Sequence, residues 1–519
     1  MKKIITLSLL ALSFTLITTS CEKGFDELNT IKTAPTNIDP AFTLNAAVIN
    51  TSVPGGTLQY DLGIVQQIIS SNSGIIAGAN YNQVNPGNTP AIWIQYYQNV
   101  IKYTNDVIVK TATITPARPN LTAMARIMQA NAFMILTDTY GDIPYTEAGK
   151  GFTSQLFYPK YDAQSAIYPQ IIQELTDAVT ALDPAARIET ADVLYGGSVD
   201  KWKKYGRSLL LRAGMRIVKR DAVNGKAAIN SAFSAGAAGL VTTNADLAYI
   251  RHDANFVNAV GNTLNSTEAA NYYMAAPFVN ILLANKDPRI NSIAVRYVGA
   301  TSGPEQVAAK ADTTAAKQVG IPMGVDDLTA GQAATTAGIG SRYAFTQIDR
   351  TRLSGRLQPM FLLTAAETNL LLSEASLAVN NFIPGGDVAA LTYFTTGIKA
   401  HMDQLALYGA GTIVPASYQT TYINRRSVLF AAATPADKTK EINTEYWIAS
   451  FLNGPETWAN FRRSNYPVLA PNPYPGRTVN FITRLTYPPS EILVNKNVQS
   501  AISNMGGDAL DVKVWWDID

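Results

Sequence analysis

Long stretches of the chain carry apolar residues at helical spacing, separated by stretches with no period at all. In "AIWIQYYQNVIKYTNDVI" the residues Ile94, Tyr97, Ile101 and Ile108 share one face of a helix. "LTAMARIMQANAFMILTDTYGD" repeats the pattern with Leu121, Met124, Met128, Ala132 and Ile135, and its alanines let a neighbouring helix come close. "IYPQIIQELTDAVTAL" does so with Ile171, Leu175, Ala178 and Leu182, and "VDKWKKYGRSLLLRAGMRIV" with Trp202, Tyr205, Leu209 and Ala213. "PMFLLTAAETNLLLSEASLAV" and "EINTEYWIASFLNGPETWANFRR" predict further helices. Helices joined in pairs by turns therefore dominate the reading.

Two regions break the pattern. Residues 71–90, "SNSGIIAGANYNQVNPGNTP", are rich in Gly, Asn and Pro, and residues 296–355 hold much Ala, Thr and Gly with few large apolar side chains. Stretches that long inside a compact domain are functional or carry irregular structure of their own. The fold class expected is mainly α, a scaffold of helix pairs with long irregular loops and a few short strands. No strict repeat of about 34 residues is visible, so any tetratricopeptide-like pairs are divergent. The terminal "DVKVWWDID" alternates as an edge strand would, or offers a contact surface.

The N-terminus has a different grammar. Lys2 and Lys3 precede an apolar run from Ile4 to Ile17, and Thr18, Thr19 and Ser20 lead into Cys21, the one cysteine of 519 residues. That is the layout of a secretory signal, too short to span a bilayer, which takes roughly 20 apolar residues. A cysteine at this place resembles the lipobox of bacterial lipoproteins, although Thr18 stands where Leu is usual. The organisation expected is a signal peptide over 1–20, a lipidated polar tether over 21–40 and a single domain over 41–519.

Composition narrows the partners. Residues 1–20 hold two lysines and no acid, so the whole chain's 41 basic against 39 acidic residues becomes 39 against 39 without them. No basic field is available for nucleic acid. Charged residues are only 15% of the chain while tyrosine alone numbers 25, so the surface favours hydrogen bonding over ionic attraction.

Candidate catalysts are few. The two histidines, His252 and His401, lie far apart, and "RHDAN" reads as a surface or capping histidine. HExxH, GxSxG, GxGxxG and GxxxxGK[ST] arrangements are all missing. "DTYGDIPYTEAGKG" clusters Asp138, Asp142 and Glu147, the best pair-forming carboxylates for glycoside hydrolysis. The same segment also reads as a helix stop, with Gly141 ending the helix, Pro144 preventing its resumption and Asp142 accepting backbone N–H groups. Trp447, Trp458, Phe461, Trp202 and Tyr205 read as core, and Arg462 and Arg463 as caps for carbonyls at their helix end. Carboxylates are too sparse to predict a calcium site and no metal-ligating residue is singled out, which leaves metal binding through backbone carbonyls open; no cofactor is expected.

At "TDTYGDIPYTEAGKG" the chain resembles the SusD/RagB-type outer-membrane lipoproteins, in particular the SusD-like branch. "DKWKKYGRSLLLRAGMRI", "AAPFVNILLANKDPRI", "FLLTAAETNLLLSEA", "YWIASFLNGPETWANFRRSNYP" and "TRLTYPPSEILVN" agree in the same order. The resemblance implies a helical core of tetratricopeptide-like pairs with a loop-rich face. It further implies a non-enzymatic, lipid-anchored protein of the outer membrane. Such a protein captures a nutrient and passes it to a SusC-like TonB-dependent transporter. Its ligand would be an oligosaccharide, or alternatively a peptide; a secreted glycan hydrolase is the rival enzyme reading. Glu22, Asp26 and Glu27 after Cys21, with Lys23 among them, resemble a surface-export signal and imply an outward-facing anchor.

Sugar rings lay C–H faces on aromatic rings and need paired donors and acceptors for their hydroxyls. "GANYNQVNPGN" offers Asn80, Tyr81, Asn82, Gln83, Asn85 and Asn88 just before Trp93. The resemblance places the corresponding loop in the ligand groove, with Tyr81 as platform and Asn80, Asn82, Gln83 and Asn88 as hydroxyl partners. These residue types also simply shape turns, and Trp93 also reads as core. Asn271, Tyr272 and Tyr273 form a second candidate cluster, or ordinary packing.

Overall fold

The computed structural model describes residues 38–73, 78–266, 268–472 and 480–518, and Cys21 with the signal sequence lies outside them. The chain divides into two units, Met1–Asp39 and Pro40–Asp519, and the fold described here is that of the second.

It is mainly α, and helices adjacent in sequence pack together. Pro40–Ile49 lies against Lys102–Thr111, which lies against Pro119–Tyr140; that helix meets Gln164–Ala181, and the chain of contacts continues to Val199–Ile217 and Ala222–Ala232. A second group pairs Ala365–Ser376 with Gly386–Gln404, then Ala416–Ala432 and Pro435–Ala449. The apolar faces read from the sequence point inward: Ile171, Leu175, Ala178 and Leu182 are buried, as are Trp202, Tyr205, Leu209 and Ala213. Each large aliphatic side chain so buried contributes about 2 kcal/mol, which is why amphipathic spacing sets the helix orientation.

One position departs from its expected face, while Ile101 is buried and Tyr97 and Ile108 pack against the core. Ile94 is 46% exposed, while Trp93, Tyr96, Val100 and Val107 are buried. This segment carries apolar residues on two adjoining faces, so spacing alone does not choose between them. A π-helical stretch, Tyr96–Ile101, also interrupts the α-helix there. "PMFLL" is likewise not helical: Met360–Leu363 is a strand, and the helix starts only at Ala365, behind a Thr364 and Glu367 capping box.

The strands are short and antiparallel. Ile68–Ser70 pairs with Tyr272–Met274, Ala248–Ile250 with Met360–Leu363, and Ala294–Tyr297 lies between Ala311–Asp312 and Gln347–Ile348. Residues 296–355 thus carry irregular structure: these strands, several 3-10 turns and the helix Asp327–Thr336. A small separate core of Ile69, Tyr273, Ile321, Val325 and Phe345 holds this face together. Residues 511–518 form no strand; Trp516 is buried and donates its indole N–H to Asp138 at 2.7 Å.

Buried ions join the helices. Arg216 contacts Asp138 at 3.2 Å and Glu456 at 2.7 Å, and Arg212 contacts Glu367 at 3.2 Å. Arg289 lies between Asp287 and Glu445, and Arg463 pairs with Glu374. Arg463 therefore does not cap its own helix end, while Arg462 donates to the carbonyl of Trp458 in its own helix at 3.4 Å and to those of Asp138 and Thr483, both at 2.7 Å. His252 is buried rather than on the surface, bonded to Ser52 and to the carbonyl of Gln358. His401 lies 3.0 Å from Arg289, and burial beside that guanidinium holds its pKa well below the usual value.

Candidate functional site

The segment "TYGDIPY" is a junction. Gly141 ends the helix Pro119–Tyr140 with φ +82°, where glycine is the unstrained choice, and a Cβ there would sit 2.5 Å from the sulfur of Met505 and force that side chain to shift. Asp142 accepts from Gln164 N at 2.9 Å at the start of the next helix, and its carbonyl accepts from the Tyr487 hydroxyl at 2.6 Å. Asp138 accepts from the hydroxyl of Tyr168 and the indole of Trp516, and burial raises its pKa despite Arg216. Glu147 accepts from Lys160 N at 2.8 Å. All three carboxylates thus hold the fold together.

Trp93 is enclosed beside this junction. Its ring is 6% exposed and packs against Tyr97, Tyr140, Tyr161 and Tyr487 at centroid distances of 4.7 to 6.1 Å. It opens no surface towards a ligand in this arrangement.

The loop ahead of Trp93 is pinned from several sides. Gly78 begins it with φ +152°, and its N-terminal turn passes so close to Gln59 that a Cβ would lie 2.9 Å from that residue's carbonyl oxygen. Asn80 is buried; its carboxamide donates to the carbonyls of Ser70 and Val325, both at 2.9 Å, and accepts from Gly324 N at 2.8 Å. Tyr81 is 8% exposed and bonds Asp326 through its hydroxyl. The hydroxyl of Tyr60 donates to Gln83 O at 2.8 Å and accepts from Asn85 N at 2.6 Å. Asn88 closes the turn, its N–H bonding the carbonyl of Asn85.

Two of these residues reach an open groove. Asn82, in left-handed backbone with φ +49°, and Gln83 line it together with Val84, Asn480 and residues 508–511, around a volume of about 550 Å³. Asn82 donates to Asn480 O at 3.1 Å, and Val84 is 48% exposed. The opposite wall is fixed by the buried Arg484, which donates to Asp508 at 2.8 Å and to Gly507 O at 3.1 Å. Asp511 is exposed. The wall therefore offers amides, two carboxylates and a small apolar patch, with no aromatic ring among the described lining residues.

The second predicted cluster lies behind the loop. Asn271 donates to Glu268 at 2.8 Å, while Tyr272 and Tyr273 are buried in the strand that pairs with Ile68–Ser70. Ser70 pairs with Tyr272 and also receives the Asn80 bond, so the two stretches share one support. Asp508, Asp511 and Asn480 were missed by the sequence reading, because they stand hundreds of residues from the loop and no local pattern marks them.

Among the described residues no group of three or more His, Cys, Asp or Glu side chains could hold a metal ion. No helix among them is long and apolar enough to cross a membrane.

Comparison with solved structures places this architecture. A chitin-binding protein is 28% identical, with TM-score 0.79 and coverage of 93% of this chain and 100% of its own. A chitin-binding SusD homolog from Flavobacterium johnsoniae is 24% identical, with TM-score 0.72 and coverage of 92% and 98%. A Bacteroidetes SusD-like protein is 23% identical, with TM-score 0.79 and coverage of 93% and 100%. No curated protein matches. The family model described as "Starch-binding associating with outer membrane" matches residues 32–488, and the chain belongs to this SusD-like family.

Proposed function

We propose that the protein captures an oligosaccharide in the groove lined by Asn82, Gln83, Asn480, Asp508 and Asp511, without catalysis, and delivers it to a TonB-dependent outer-membrane transporter. The observation that carries this reading is the groove itself: about 550 Å³ of open space walled by amides and carboxylates held on a pinned loop. Amide donors and carboxylate acceptors match hydroxyl rims, and Val84 with Ala509 gives a C–H face something to lie on. Asp511 and Asp508 disfavour acidic sugars. Chitin-type oligosaccharides are the ligand class favoured, since two structural relatives carry chitin binding in their descriptions.

The engagement of Asp138, Asp142 and Glu147 within the fold supports binding rather than hydrolysis. Anchoring through acylated Cys21, with the body facing outward, completes the reading; a lipid chain there holds a protein to a membrane by about 0.8 kcal/mol per buried CH2.

The test is calorimetry of the full-length protein in a non-saccharide detergent with chitohexaose, maltohexaose and a mixed peptide pool. Saturable binding of a hexaose, weakened by Gln83→Ala without loss of folding, is the expected result. Binding of peptides alone, or release of reducing ends from either hexaose, overturns it.

A further inference from the structure

A second, larger groove lies elsewhere on the molecule. It has a volume of about 760 Å³ and runs between the turn after the helix Ala276–Ala284, residues 313–316 and residues 411–418. We propose that it is a second saccharide-binding site, with Tyr418 as its platform; this rests on the reading of the protein as a saccharide binder.

An exposed aromatic ring stands in its lining. Tyr418 lies in the first turn of the helix Ala416–Ala432, is 59% exposed and lines the groove beside Ile413, itself 53% exposed. An exposed ring on a groove wall is the surface on which the C–H face of a sugar lies. Thr313 and Thr314 stand in the same lining and supply hydroxyl groups for its rim.

The walls are fixed to one another. The guanidinium of Arg352 donates to the carbonyl of Gly411 and, at 3.1 Å, to the carbonyl of Asn291, while Asp349 holds its Nε. The side chain of Asn291 accepts from Ala315 N at 2.8 Å, joining the third wall. One arginine and one asparagine thus set the width of the groove before any ligand arrives, which lowers the ordering cost of binding.

Lys286 adds an independent observation. It sits at the C-terminal turn of its helix, with Lys286 N bonded to Leu283 O and Asp287 N to Leu282 O, both at 2.9 Å. Its φ is +46°, where glycine or asparagine is the unstrained choice. A lysine there carries a strain that glycine would relieve, and Lys286 is among the residues that line the groove. The neighbouring Asp287 is committed to Arg289 at 2.5 Å. The ammonium is a three-proton donor for sugar hydroxyls or a ring oxygen.

Calorimetric titration of the full-length protein with chitohexaose and with maltohexaose, at up to millimolar ligand, tests the site. The expected result is two sites per chain for one of these hexaoses. Tyr418→Ala removes one site and Gln83→Ala the other. Lys286→Gly weakens the Tyr418 site several-fold while raising the melting temperature, an opposition of sign that a purely structural lysine does not produce. One site per chain that is lost with Gln83→Ala and indifferent to Tyr418→Ala overturns the second site and leaves the first standing. Binding of neither hexaose overturns both.

Discussion

Asn80 donates a carboxamide hydrogen to the carbonyl of Ser70 at 2.9 Å, and Ser70 is the strand residue paired with Tyr272. The link ties the loop that carries Asn82 and Gln83 to a strand some 200 residues away in sequence. Asn80→Ala removes this bond together with those to Val325 and Gly324. Leaving buried backbone groups unpaired costs about 1–3 kcal/mol. The variant is expected to lower both denaturation midpoint and hexaose affinity, because the loop that carries Asn82 and Gln83 loosens. Gln83→Ala, at the groove wall, is expected to lower affinity alone. Paired urea titration and calorimetry separate the two.

Gly141→Ala is expected to destabilise the protein by about 2–3 kcal/mol, combining left-handed backbone with a clash against Met505. Met505→Ala in the same chain is expected to recover the steric part and leave the backbone part. A double-mutant cycle in urea reads the coupling; additivity of the two changes would refute the contact as its cause.

Two buried carboxyls are expected to make a contribution to stability that falls as pH rises from about 4 to about 7. Burial pushes Asp61 and Glu367 each up to about 7 from ordinary values of 3.8 and 4.5. The folded state then keeps a proton that the unfolded chain has released, so their contribution is full below the unfolded values and is lost as pH passes the folded ones. Each contributes a slope of about 1.4 kcal/mol per pH unit inside that window. Asp61→Asn removes one titration, and the difference between the stabilities of the variant and the parent at a series of pH values should show that slope. A parallel pair of curves would count against it.

Trp516→Phe is expected to cost about 1–3 kcal/mol, since Asp138 loses one of its neutral donors while staying beside Arg216. Thermal unfolding at neutral pH checks it. An unchanged midpoint would mean that the C-terminal segment does not anchor the junction.

The sequence by itself determined the helices and most of their buried faces. Amphipathic spacing is local, and burying Ile171, Leu175 and Leu182 on one side settles how Gln164–Ala181 lies. Gly141 as a helix stop was legible for the same reason, because a left-handed turn has few residues that suit it. Family membership was legible too, through stretches such as "TDTYGDIPYTEAGKG" in a fixed order. What only the tertiary structure decided is who meets whom. It turned Ile94 outward, put Arg462 and Arg463 on distant partners, and buried Asn80, Tyr272 and Tyr273 as supports for the loop. It also brought Asn480 and residues 508–511 into one groove with Asn82 and Gln83, and Tyr418 into another with Lys286. Groove walls are built from side chains far apart in the chain, and no local period encodes the distance between them.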